Sequence, residues 1–469
     1  MKTLAVIITS VSTLVFLSLY SIFPDRFVSR LVEKEKGCVF NSMMGIENTE
    51  NYAQYKTPDK VVQSIDHAMG WTAAAQQQNG GWGAGSHYKQ MEMDPHAVAA
   101  DPATTSMVGM ALLRNGSTLN TGTYSAQLKK AVEFILKEVE NSSPNSLNIT
   151  SLTGTQIQTK LGQNIDVVLA SQFLTNLLEK VPANDPMRKR INEALNVCVV
   201  KIQNGQMADG STQGAGWAGV LQSSLASNAL EAAEFAGAKV DTKKLERARD
   251  YQKSNFDAES GNVNTDRGAG VVLYSVSGAA RAAAKEAREV QEQMDIAQMP
   301  SRGQAVSASD LEDLGFSKDD AIKKAAAYNV YQSAKQTAQR EDVMSGFGNN
   351  GGEEFLSFLQ TGEGLVIAKD NSWKNWYDDI SGKMVRIQNQ DGSWNGHHCI
   401  TSPVFCTATC LLILSIENGR FVETRCFASQ DNQNSAFDGD AKHLVSTAKG
   451  PMERLFYRAF CLNIIVLPK

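Results

Sequence analysis

The sequence predicts an all-α fold, an α/α toroid in which about six outer and six inner helices close into a double-layered barrel. Three observations predict it. Four segments share one form, a glutamine-bearing helix end followed by a Gly/Asp/Ser/Trp turn: "QQQNGGWGAG" at 76–85, "IQNGQMADGSTQGAGW" at 202–217, "YQKSNFDAESGNV" at 251–263 and "IQNQDGSWNG" at 387–396. The runs before such turns carry one apolar stripe, as in Leu128, Val132, Ile135 and Val139, in Ile191, Leu195, Cys198 and Ile202, and in Trp376, Ile380, Met384 and Ile387. The runs after them are apolar or small on every side, and a helix covered all round lies inside a ring of others. An open superhelical solenoid is the alternative arrangement of the same parts.

Taken along the chain, residues 4–23 (LAVIITSVSTLVFLSLYSIF) carry no charge. That run is long for a signal-peptide core and about long enough to cross a bilayer as a helix. Residues 1–24 are therefore read as a signal peptide or an uncleaved membrane anchor, with the remainder exported, and residues 25–59 as a linker. The repeats occupy 60–418. Inner segments begin near 101, 166, 220, 268, 353 and 406, at intervals of about 50 to 65 residues with one of about 85. The long interval holds an Ala/Lys/Glu/Gln-rich stretch, 279–340, expected as an extra helix before the fifth outer helix. Residues 419–469 read as a C-terminal tail, polar and then briefly apolar.

The bulk charge narrows the partners. Forty-five basic and 50 acidic residues give a net charge of -5 and are mixed along the chain, with no basic cluster interleaved with aromatics, so nucleic-acid binding is excluded. Seven cysteines, an odd number and mostly scattered, do not form a disulfide framework.

Glutamine, then Asp-Gly-Ser-Trp, then an apolar inner helix, as in Gln388, Asp391, Gly392, Ser393 and Trp394, resembles the repeat of the terpenoid cyclase and protein prenyltransferase superfamily. Partial versions surround Gln78, Gly81 and Trp82 and Asp209, Gly210 and Ser211, and the resemblance covers about residues 60 to 418. It is closest in kind to the bacterial prenyltransferase and squalene oxidase repeat proteins, and it implies the toroid without implying the chemistry. The motif itself has structural work. Trp394 can stack over the turn while the Gln388 amide satisfies carbonyls at a helix end, so both are read as staples between hairpins.

In a toroid of repeating hairpins all inner helices run parallel, and their N-termini gather at one rim with their partial positive charges facing one opening. Such a rim favours an anionic group. Polar residues cluster there: His87, Asp94, His96 and Asp101 before the first inner helix, Gln156, Gln158, Lys160, Asn164 and Asp166 before the second, and His397, His398 and Cys399 before the sixth. Asp101 before Pro102 reads equally as an N-cap, and Asp166 or Asn164 as a cap of the second inner helix. Lys160 is the candidate for anion contact. Zinc is the candidate cofactor: Cys406 and Cys410 share a helix face, with His398 and Cys399 a few residues upstream. In the protein prenyltransferases a zinc-binding histidine lies roughly where Cys406 stands, but their companion Asp-x-Cys pair has no match here. The competing reading is buried thiols beside a hydrogen-bonded histidine pair.

The cyclase acid Asp-x-Asp-Asp and the diphosphate motif Asp-Asp-x-x-Asp do not occur, and aromatics make up only 7% of the chain, few for a lumen that would stabilise carbocations. The expectation is an exported or membrane-anchored toroid protein whose cavity binds a small, largely apolar, isoprenoid-like molecule with a polar or anionic head. The alternatives are an enzyme, either a divergent terpenoid cyclase or transferase or a toroid polysaccharide lyase, and a protein-interaction scaffold.

Overall fold

Outer and inner helices alternate along the chain in the computed structural model, which describes residues 56–299, 305–344 and 351–416. The outer set comprises α1 (Asp59–Ala74), α3 (Ser125–Asn141), α6 (Pro186–Asn204), α8 (Thr242–Ser254), α11 (Lys318–Ala338) and α14 (Trp373–Ile387). The inner set comprises α2 (Pro102–Arg114), α5 (Ile165–Leu178), α7 (Gly219–Phe235), α9 (Val272–Ile296), α13 (Gly352–Ile367) and α15 (Pro403–Leu414). Three short helices join them: α4 (Gln156–Lys160), α10 (Ala308–Asp313) and α12 (Glu341–Met344). No strand occurs among the described residues. The uncharged run 4–23 and the tail 419–469 lie outside those residues. No described helix is long and apolar enough to cross a membrane.

The two layers follow from the two burial patterns. Outer helix α3 buries one stripe, Leu128, Ala131, Val132, Ile135, Leu136 and Val139, and leaves the rest wet. Every residue of α2 and of α15 is buried. Inner helices pack in chain order, α2 on α5, α5 on α7, α7 on α9, α9 on α13 and α13 on α15, and α15 packs back on α2. That last contact makes the array a closed ring, the toroid expected, rather than an open solenoid.

The turns that set each inner helix repeat one hydrogen-bonded unit. Gln76, Gln206 and Gln388 each donate from Nε2 to the carbonyl four residues on, of Gly80, Gly210 and Gly392, at 2.8, 3.5 and 2.8 Å. The same amide also donates to a carbonyl of the next outer helix: Gln127 at 2.9 Å, Lys244 at 2.7 Å and Ser64 at 3.0 Å. In the first unit the partial sequence match centres on Gln78. Three consecutive glutamines hide the register, and the four-residue reach to the turn glycine selects Gln76. At that glycine the backbone is left-handed, with φ +91° at Gly210, and an added Cβ would meet Arg247 O at 2.1 Å. Trp82 and Trp394 are wholly buried over their turns. Their indole Nε1 groups donate to Thr72 O and Met384 O, both at 2.9 Å, and their backbone N–H groups to Thr105 Oγ1 (2.9 Å) and Thr407 Oγ1 (2.8 Å) of the following inner helix. Ser223 takes the same part in the second unit, accepting from Thr212 N at 3.0 Å.

Among the described residues, 279–340 hold one short helix, α10, before the outer helix α11. Their first part is the continuation of inner helix α9, 25 residues long, and their last part is the outer helix α11 itself. At the C-terminal ends of the inner helices a buried charge network crosses the ring. Arg114 donates to Leu412 O at 2.9 Å and pairs with Glu363 at 3.4 Å, and Arg281 bridges Glu363 (3.7 Å) and Glu231 (3.1 Å), which also pairs with Arg249.

Candidate functional site at the N-terminal rim

The opposite rim gathers the inner-helix N-termini, as cross-hairpin bonds show. Ala103 N–H donates to Asp166 Oδ1 at 3.1 Å, and Gly352 N–H to Ile400 O at 3.0 Å. Thr401 and Ser402 N–H groups donate to Gln156 Oε1 at 2.8 and 3.1 Å. Gln156 therefore ties the second hairpin to the sixth across the rim.

Asp101 is the N-cap of α2, accepting from Thr104 N at 2.7 Å and from Ala84 N at 2.8 Å. Asp166 does not cap its own helix. It sits in the first turn of α5 and accepts from Ala103 of the neighbouring α2, from Gln158 Nε2 at 2.7 Å and from Asn148 Nδ2 at 3.4 Å. Asn164 makes no side-chain cap bond either; its Nδ2 donates to Gln213 O at 3.0 Å. Burial and the neighbouring Asp166 push the Asp101 carboxyl up to about 7, and burial also raises Asp166. The N-terminal ends of α2 and α5 thus already face carboxyl groups of the chain itself.

A second group lies between α4, α9, α13 and the loop before α15. Lys160 is 5% exposed, with its ammonium 4.3 Å from the centroid of the Trp217 ring and near enough to the Cys399 thiol for its charge to oppose the rise that burial gives that thiol's pKa. Glu353 and Glu354, in the first turn of α13, are both buried, and Glu353 Oε2 accepts from Ile400 N at 3.3 Å. Burial raises the Glu353 carboxyl to about 7, against the pull of Lys160. Tyr274, at the start of α9, is buried and faces Glu353, Glu354 and Cys399; burial and those charges push its phenol up and hold it protonated. Cys399 is half-buried in a left-handed conformation, φ +68°, with Sγ 3.0 Å from His398 Nδ1. The group offers one cation, one carboxyl poised near neutrality, a second carboxyl, a thiol and a phenol.

The remaining expected residues stand outside it. Asp94 and His96 are exposed, and Asp94 Oδ1 accepts from His96 N at 2.9 Å in a local turn. His87 is half-exposed, its Nδ1 2.8 Å from Gln90 Nε2, close enough to Lys160 for that charge, after burial, to lower its pKa. His397 and His398 are exposed. The zinc set is not assembled. Cys406 is wholly buried with Sγ 3.5 Å from Ile400 O, Cys410 is buried beyond it, and burial pushes both thiols up. The Cys399 thiol meets His398, whereas the Cys406 thiol lies against Ile400 O. Among the described residues no three His, Cys, Asp or Glu side chains converge as metal ligands.

Glu353, Glu354 and Tyr274 were missed by the sequence reading, which took "EEFLSFLQ" and "VVLYSVSG" only as apolar inner segments. Two adjacent glutamates opening a helix buried on every side were the available signal, since such groups are rarely buried without a partner.

No family model matches the chain, and no curated protein does. Among solved structures the chain is similar to a type II terpene cyclase from Scytonema in complex with its product, merosterolic acid A, at 15% identity over 77% of this chain and 97% of that one, with a TM-score of 0.43.

Proposed function

We propose that this is an exported or membrane-anchored toroid protein that binds a small, largely apolar, isoprenoid-like molecule with its polar head at the N-terminal rim. The observation that carries the reading is the gathering of Lys160, Tyr274, Glu353, Glu354 and Cys399 where no helix cap requires them. Apolar side chains supply the rest. At about 100° per residue, the inner-helix faces opposite the turn contacts Thr105, Ser223 and Thr407 carry Met107 and Met110, Leu221 and Leu225, and Phe405 and Leu412. Methionines on that face are adaptable packing partners for an irregular guest. With two carboxyls against one lysine, the head is a hydroxyl or carbonyl rather than a diphosphate.

The test is mass spectrometry of lipids that co-purify with the full-length chain, followed by titration with long-chain polyprenols. Lys160→Met and Glu353→Gln should each weaken binding by about tenfold or more while the fold, read by circular dichroism, is kept. A folded wild-type chain that carries no such lipid and binds no polyprenol removes the reading.

One observation favours a second reading, an enzyme using acid–base chemistry. A buried carboxyl with a pKa of about 7 holds its proton near neutral pH and can deliver it to a bound substrate. Glu353→Gln would then abolish turnover of the co-purified lipid and leave its affinity within about threefold.

A further inference from the structure

Beyond the rim cluster, the loop 146–154, the segment 158–164 and the turn 214–217 enclose an open groove of about 830 Å³. None of the side chains lining it is ionisable; they are serines, threonines, asparagines, glutamines, small apolar residues and one tryptophan. Trp217 is 67% exposed, an unusual position for the most apolar platform a chain can present. The backbone that bears it is firmly held. The turn that bears it is fastened to the second hairpin by Gly216 N–H to Leu161 O at 3.1 Å, Ala218 N–H to Lys160 O at 2.7 Å and Gln163 N–H to Gly214 O at 2.8 Å. Gly216 approaches so closely that an added Cβ would meet Thr159 O at 2.6 Å. The Lys160 ammonium lies over the indole ring from within. A rigid aromatic plate therefore stands at the edge of a groove whose Ser151, Thr153, Thr159 and Gln163 bring hydroxyl and amide groups.

We propose that this groove binds an uncharged oligosaccharide. A pyranose ring has one face of C–H bonds and an edge of hydroxyls. The first needs a flat aromatic surface held in place, and the second needs neutral groups that both donate and accept hydrogen bonds. A polyanion would need cations along the groove, and the lining has none. A membrane surface would need further exposed apolar side chains around Trp217 or exposed basic ones beside it; the lining offers neither, and Lys160, the cation at the ring, is buried. Rigid presentation means that little ordering entropy is lost when the sugar stacks.

The test is titration of the full-length chain, in a non-glycosidic detergent, with cellohexaose, xylohexaose, mannohexaose, maltohexaose and chitohexaose, followed by tryptophan fluorescence and calorimetry. At least one should bind with a millimolar dissociation constant or tighter and shift the indole emission. Trp217→Ala should weaken that binding by about tenfold or more, Trp217→Tyr by less, and Glu353→Gln, which lies in the rim cluster, not at all. Far-UV circular dichroism confirms that the variants fold. The proposal is overturned if none of the five binds at about 5 mM, if binding is indifferent to Trp217→Ala, or if only polygalacturonate binds. Binding of phosphatidylcholine vesicles through Trp217, with no saccharide binding, overturns it as well.

Discussion

Gln388 and Ser64 stand 324 positions apart and exchange two hydrogen bonds: Ser64 Oγ donates to Gln388 Oε1 at 2.7 Å, and Gln388 Nε2 donates to Ser64 O at 3.0 Å. The sixth hairpin's staple is thereby fastened to the first outer helix. Gln388→Ala removes both bonds and the one to Gly392, and it should cost about 2 to 3 kcal/mol in urea denaturation. Combining it with Ser64→Ala should give less than the sum of the single costs, because the two side chains share one interaction.

Trp394 and His398 lie four positions apart in the same loop and differ in what they support. Trp394 is wholly buried and bonded at both nitrogens, so Trp394→Ala should lower stability by roughly 3 to 5 kcal/mol. His398 is exposed, and His398→Ala should change stability by no more than about 0.5 kcal/mol. Thermal melts of the two variants check the contrast.

Glu353 makes stability depend on pH in a stated direction. Its pKa of about 7 in the folded chain lies above the ordinary 4.5, so the folded state holds this proton more tightly than the unfolded one. The associated stability is present below about pH 4.5 and is lost as pH rises through about 7. Glu353→Gln should flatten the decline between those values and leave the variant the more stable at pH 8, by on the order of 2 kcal/mol. Asp101, raised likewise, keeps a residual slope of the same sign. Urea melts at closely spaced pH values measure both.

Deleting residues 1–24 removes the uncharged run from Leu4 to Phe23. The shortened chain should appear in the soluble cytoplasmic fraction while the full-length chain is found in the membrane or exported fraction. Fractionation that finds both together in the cytoplasm refutes the export reading.

The layered helices were legible because burial on every side leaves a mark that no turn or surface helix imitates. Inner segments expected near residues 101, 166 and 353 begin at Pro102, Ile165 and Gly352. What local patterns could not show was contact between hairpins. Asp166 looked like a cap for its own helix and serves Ala103, 63 positions away. His397 and His398 were read at the rim beside the zinc candidates, and both are exposed, next to a left-handed Cys399, a conformation uncommon outside glycine that the sequence does not announce. Glu353 and Glu354 were hidden by the apolar residues that follow them.

Closure of the ring has a consequence for how the molecule comes apart. In an open array of repeats the end units lack one neighbour, so they fray first and disorder spreads inward. Here α15 packs on α2, and no described hairpin has a free flank from which to peel. Loss of any one hairpin deprives two others of their neighbours at once. Unfolding should accordingly be a single cooperative transition, and hydrogen exchange in α2, α7 and α15 should report nearly one opening free energy instead of a gradient from the ends toward the middle.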